Sequence, residues 1–127
     1  MEELIITVTH WNVIIEYNGK HGVTTAYRNY RRYNGQFNFG FSGSGPATLV
    51  TALLEVLYMD NEEVQDYRQW RGIAHIKGYD IINNVVVLKR KDSEKNELPN
   101  LCGQFIIEVT EEMIAIFPFL QQKKDLF

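Results

Sequence analysis

The chain is poor in the residues that staple, anchor or metallate a protein. It has one cysteine in 127 residues, Cys102, so no intrachain disulfide can form. It has no run of about 18 apolar residues, the length a membrane-crossing helix needs. Its start, MEELIITVTHW, lacks the basic segment and small-residue cleavage site of a secretory leader. Together these absences point to the cytoplasm and to no membrane partner. Cations are also scarce, with 13 Lys and Arg against 16 Asp and Glu and a formal net charge of -3. General nucleic-acid binding draws on an excess of Lys and Arg, so that class is not expected. A small basic pocket remains compatible with this balance.

Histidine is sparse too. His10, His21 and His75 stand alone, without the short spacing of metal ligands, so neither a metal nor a cofactor is expected. Cys102, beside Gly103, would be a nucleophile only with a base next to it, and a buried inert thiol is the simpler reading. Asp60, Glu62 and Glu63 are explained by capping a helix. No constellation demands catalysis.

What the chain does have is 45% hydrophobic and 13% aromatic residues, enough for one core. β-branched runs at Leu4 to Thr9, Val13 to Tyr17 and Val23 to Tyr27 read as strands, the last two joined by the turn segment NGKHG. Gln36 to Phe41 alternates polar with aromatic and reads as a fourth strand burying Phe37, Phe39 and Phe41. From Leu49, apolar residues recur at helical spacing, leaving a narrow polar stripe of Thr48, Thr51, Glu55 and Tyr58. Such a helix is central and buried. Pro46 suits its first position, with Gly45 as N-cap. Asp60 and Glu63 start a second, amphipathic helix running to about His75. Ile81 to Leu88 reads as a strand, 89–100 as a charged loop, Gln104 to Val109 as a strand, and Thr110 as the cap of a short helix ended by Pro118. The expected fold is α+β: a mostly antiparallel sheet packed on a buried central helix and a second amphipathic helix. It forms a single domain over 1–120, with a loose tail at 121–127. The tail's Asp125, Leu126 and Phe127 resemble the C-terminal peptides that dock on replication sliding clamps, but Gln122 lies one place too early for that pattern and a frayed chain end is the favoured account.

Two segments are candidates for binding. The first is the loop Gly43, Ser44, Gly45 leading through Pro46 into Ala47 and Thr48. It is not a Walker loop, because no Lys-Ser/Thr pair follows. It is not a dinucleotide fingerprint, because Thr48 stands where the third glycine belongs. A glycine loop at a helix start still exposes backbone N–H groups to an anion, with hydroxyls from Ser42, Ser44 and Thr48 beside them. The alternative is a plain strand-to-helix turn. The second segment is YRNYRRY, where Arg28, Arg31 and Arg32 interleave with Tyr27, Tyr30 and Tyr33. Arginine can grip phosphate in bidentate fashion and tyrosine can stack on a base. Exposed arginines paired with carboxylates are the alternative, and such pairs need no function.

Phe39, Gly40, Phe41, Gly43, Ser44, Gly45, Pro46, Ala47 and Leu49 carry a pattern: aromatic, Gly, aromatic, variable, Gly-Ser-Gly-Pro-Ala, variable, Leu. This stretch resembles a family of small uncharacterised phage, prophage and bacterial proteins. The resemblance implies a common fold and a phage-type origin, hence the host cytoplasm, but no established activity. Small phage proteins are often inhibitors of host defence, an association rather than a deduction.

Two functions follow as expectations. The first is a binding protein that sequesters a nucleotide-like, phosphate-bearing signal. Gly43, Ser44, Gly45, Ala47 and Thr48 would cradle the phosphate, Arg28, Arg31 or Arg32 would neutralise it, and Tyr30 or Tyr33 would stack on the base. A homo-oligomer would supply the pocket's second wall. The second is an inhibitor that binds a host nuclease or defence protein through an acidic surface, with the glycine loop purely structural. A nucleotide-processing enzyme is a third, and it would need a general base that no motif supplies.

Overall fold

The computed structural model describes residues 2–19, 22–29, 33, 36–59, 77–89 and 102–121. The expected second helix from Asn61, the 89–100 loop beyond Lys89 and the tail from Gln122 lie outside these residues. Four strands form one antiparallel sheet: β1 (Glu3–Thr9), β2 (Asn12–Gly19), β3 (Gly22–Asn29) and β4 (Cys102–Glu108), in the order β3-β2-β1-β4. The period-two pattern of the sequence sets which face is which. Leu4, Ile6, Val8, Val13, Ile15, Tyr17, Phe105 and Ile107 are buried on the inner face. Their partners along each strand point outward.

Helix α1 (Ser44–Leu57) contributes Leu49, Val50, Leu53, Leu54 and Leu57 to that same core. It is buried without interruption from Thr48 to Leu57, as a helix with so little polar surface should be. Its polar stripe also faces inward. The Thr48 and Thr51 hydroxyls donate to the carbonyls four residues back, Ser44 O at 2.8 Å and Ala47 O at 3.0 Å. The helix begins at Ser44, with Gly43 as N-cap and no side-chain cap. Pro46 therefore sits third rather than first in the helix, where its missing N–H still costs nothing. Met59, left-handed at φ 55, turns the chain after the helix ends.

Residues 77–88 are a helix, α2 (Lys77–Leu88), not the strand expected over Ile81 to Leu88. The β-branched residues fall four apart: Ile82 and Val86 are fully buried, while Ile81 and Val85 pack on the core edge. Packing against α1 outweighs a strand preference worth at most about 1 kcal/mol. The expected fourth strand, Gln36 to Phe41, joins no sheet. Phe37 and Phe39 are buried but Phe41 is 46% exposed. The segment's N–H groups are satisfied singly by three elements: Phe37 by His10 O, Asn38 by Gly45 O and Gly40 by Val86 O. Gly40 is held at φ +89, and a Cβ there would lie 2.7 Å from the Lys89 carbonyl, so only glycine fits. Thr110 caps α3 (Glu111–Ile116) by accepting from Met113 N, as expected, and a short 3₁₀ turn, Pro118–Gln121, closes the core with Phe119 and Leu120. The fold is α+β, with the helices confined to one face of an antiparallel sheet.

Candidate functional site

The start of α1 opens into a cleft of about 460 Å³ lined by Ser42, Gly43, Ser44, Pro46 and Ala47 on one side and Tyr79, Asn83 and Val87 on the other. The far wall is one face of α2, residues four apart on successive turns. The helices run antiparallel there, because Val87 of α2 lies at the beginning of α1 and Gly78 lies against Tyr58 at its end.

The chemistry of the mouth comes from the backbone. Pro46 has no N–H, and the Ala47 N–H donates to Gly43 O at 3.0 Å. Ser44 and Gly45 retain N–H groups that no hydrogen bond among the described residues uses. The first turn has no acidic residue to offset the helix dipole. The carboxyl end of α2 lies beside this point and moderates the field. Hydroxyls of Ser42 and Ser44, the Asn83 amide and the Tyr79 ring complete the lining.

Only part of the expected site meets here. Gly43, Ser44 and Ala47 line the cleft. Gly45 instead backs against Asn38, whose Cβ would lie 2.8 Å from any Cβ added at Gly45. Thr48 is buried and its hydroxyl is spent on Ser44 O. Arg28 and Tyr33 are elsewhere. Arg28, on β3, places Nε 3.3 Å from Glu55 Oε1 and donates from a terminal nitrogen to Tyr27 O. The Tyr33 hydroxyl donates to Glu55 Oε2 at 3.1 Å. Glu55 is fully buried, eleven residues and about 16 Å along the helix from Ser44. A buried carboxylate needs such partners, and that need explains both residues without a ligand. Tyr30, Arg31 and Arg32 lie outside the described residues.

Tyr79, Asn83 and Val87 were hidden by reading 81–88 as a strand. The signal for them was the four-residue recurrence, which a period-two reading scatters over both faces. Among the described residues no three His, Cys, Asp or Glu side chains cluster as a metal site would require, and no helix is long and apolar enough to cross a membrane. No family model, curated protein or solved structure matches the chain.

Proposed function

We propose that the chain is a binding module for a small phosphate-bearing, nucleotide-like ligand, seated in the cleft between the start of α1 and the outer turns of α2. The observation that carries this reading is the open 460 Å³ cleft onto which the unused N–H end of α1 faces. The Ser44 N–H and hydroxyl, at the cleft wall, would hold the phosphate with the Gly45 N–H behind them, Tyr79 would stack on the base and Asn83 would pair with its edge. This replaces Arg28 and Tyr33, which Glu55 engages. Neutralisation by dipole and backbone alone predicts modest affinity, about 0.3–1 kcal/mol from the dipole. The resemblance to phage and prophage proteins supports a setting in which such a module sequesters a nucleotide signal of host defence. At modest affinity, sequestration needs the module in excess over its signal, and no turnover.

Titration of the labelled protein with ATP, cyclic AMP and inorganic phosphate, read at the Ser44 and Gly45 backbone amides, tests the reading. Saturable shifts at both amides are expected, with a rise in melting temperature. At 100 times the dissociation constant the added stability is about 2.7 kcal/mol. Ser44→Asp should abolish binding by placing a carboxylate in the anion's position, and Asn83→Leu should weaken the nucleotides more than phosphate. Silence at Ser44 and Gly45 with all three probes would overturn the proposal.

A further inference from the structure

The outer face of the sheet carries apolar side chains and unneutralised carboxylates, and nothing else charged among the described residues. Register puts the rows together. Tyr27, Ile14, Thr7 and Gln104 form one row, Thr25, Glu16, Ile5 and Ile106 the next, and Val23, Asn18, Glu3 and Glu108 the third. Val23 and Tyr27 are each 52% exposed, Ile106 44% and Ile14 36%. A scatter of single exposed hydrophobics is ordinary, but here Tyr27 pairs directly with Ile14, Ile5 pairs directly with Ile106, and Ile14 lies diagonal to Ile5, so these four form one strip, with Val23 apart from it.

Charge says what the face would take. Glu3 and Glu108 are direct cross-strand partners, both on the outer side, and like charges directly opposite are destabilising. Glu16 lies on the next strand, two rungs of the β1–β2 register from Glu3. None of the three makes an ion pair among the described residues; the ion pair that is described there, Arg28 to Glu55, is on the inner face. A folded protein that keeps a repulsive pair beside an exposed apolar strip gains on binding a cation there. A second copy of this chain docking through the same face would bring three further carboxylates and no cation from the described residues. Nucleic acid and anionic lipid would be repelled outright.

We infer that the outer sheet face is a docking surface for a protein segment that presents an apolar strip flanked by lysine or arginine. The apolar rows supply the area and the Glu3, Glu16 and Glu108 carboxylates set orientation and encounter rate. The inference is independent of the ligand reading at the α1 cleft, which lies on the helical side.

The test uses the whole labelled chain and two synthetic peptides, one alternating isoleucine with lysine and one with glutamate for lysine. The lysine peptide should shift the amides of Ile5, Ile14, Glu16, Tyr27 and Ile106 and leave Glu111 and Glu112 on α3 unmoved, while the glutamate peptide binds nowhere. Ile14→Ser with Ile106→Ser, both at exposed positions, should weaken binding about tenfold, and Glu3→Gln with Glu108→Gln should do likewise. The second pair should also raise the melting temperature of the free chain, because it removes the cross-strand repulsion. Equal shifts at Glu111 and Glu112, an Ile14/Ile106 variant with unchanged affinity, or no binding of the lysine peptide would each overturn the inference. So would sedimentation showing a dimer that Ile14→Ser dissolves, which would make the occupant a second copy.

Discussion

In the carboxyl-terminal half of α1 a charged side chain is sealed into the core; at the amino-terminal end uncharged backbone groups look into a cleft. Glu55 is fully buried and holds Arg28 from the edge strand and Tyr33 from the segment that follows it. Ser44 and Gly45 carry N–H groups that no hydrogen bond among the described residues uses. Both ends contain residues that the sequence groups into one binding site. The difference between them is energetic. A buried ion commands partners because desolvating it costs several kcal/mol, so an arginine and a tyrosine near it in space are spoken for. An exposed helix end costs little to leave open, so its donors stay available to a ligand. Arginine-tyrosine interleaving is thus evidence of a site only where no interior carboxylate competes for it.

The most severe break of this contrast is Glu55→Ala. It strands the Arg28 guanidinium and the Tyr33 hydroxyl, and urea unfolding should show a loss of about 3–5 kcal/mol. Replacing Arg28 and Glu55 together by leucine should recover most of that, because a buried pair contributes little beyond its apolar equivalent. If Glu55→Ala costs no more than a surface change, the sealed end is not what it looks like. Next is Gly40→Ala, which forces a side chain into a left-handed backbone against the Lys89 carbonyl. About 1–3 kcal/mol should be lost, with the 36–43 segment and the cleft mouth disturbed first in hydrogen exchange.

Helix starts provide a finer comparison. α3 has a side-chain cap and two acidic residues in its first turn, while α1 has neither. Thr110→Ala should therefore cost about 1 kcal/mol, lowering the melting temperature by roughly 4 °C. Ser44→Asp should do the reverse at α1, adding about 0.5 kcal/mol while closing the site to anions. A variant that gains stability and keeps ligand would separate the dipole from the binding.

The smallest effect concerns a third polar contact. The Tyr17 hydroxyl donates to Glu2 Oε2 at 2.8 Å, and burial, with the Glu2 hydrogen bond and charge, pushes its pKa from 10.0 up to about 12. A pKa raised on folding stabilises the protein below the unfolded value and loses that contribution as pH rises through the folded one. Stability should therefore fall between pH 10 and about 12 more steeply in the parent than in Tyr17→Phe.

Much of the fold was legible because its signals are local. β-branched runs marked the strands whose Leu4, Ile6, Val13 and Ile15 are buried, apolar residues at helical spacing from Leu49 marked a buried helix, and Thr110 announced α3. Two elements were misread for the same reason. β-branched residues from Ile81 onward, and aromatic alternation from Phe37 to Phe41, satisfy a strand pattern over too few residues to exclude other conformations. The site was half legible: Gly43, Ser44 and Ala47 follow from the loop's chemistry, whereas Tyr79, Asn83 and Val87 come from a helix some forty residues on.

The sequence by itself determined the strands, the buried helix and the absence of a side chain from the glycines at its start, because each depends on neighbours within a few residues. Only the tertiary structure decided where those features lead. It turned Arg28 and Tyr33 inward, since a carboxylate in the core needs hydrogen-bond donors. It laid α2 beside the glycine turn, since α1 had an apolar side left to cover. And by packing the described helices on one face, it left Glu3 and Glu108 together on the other.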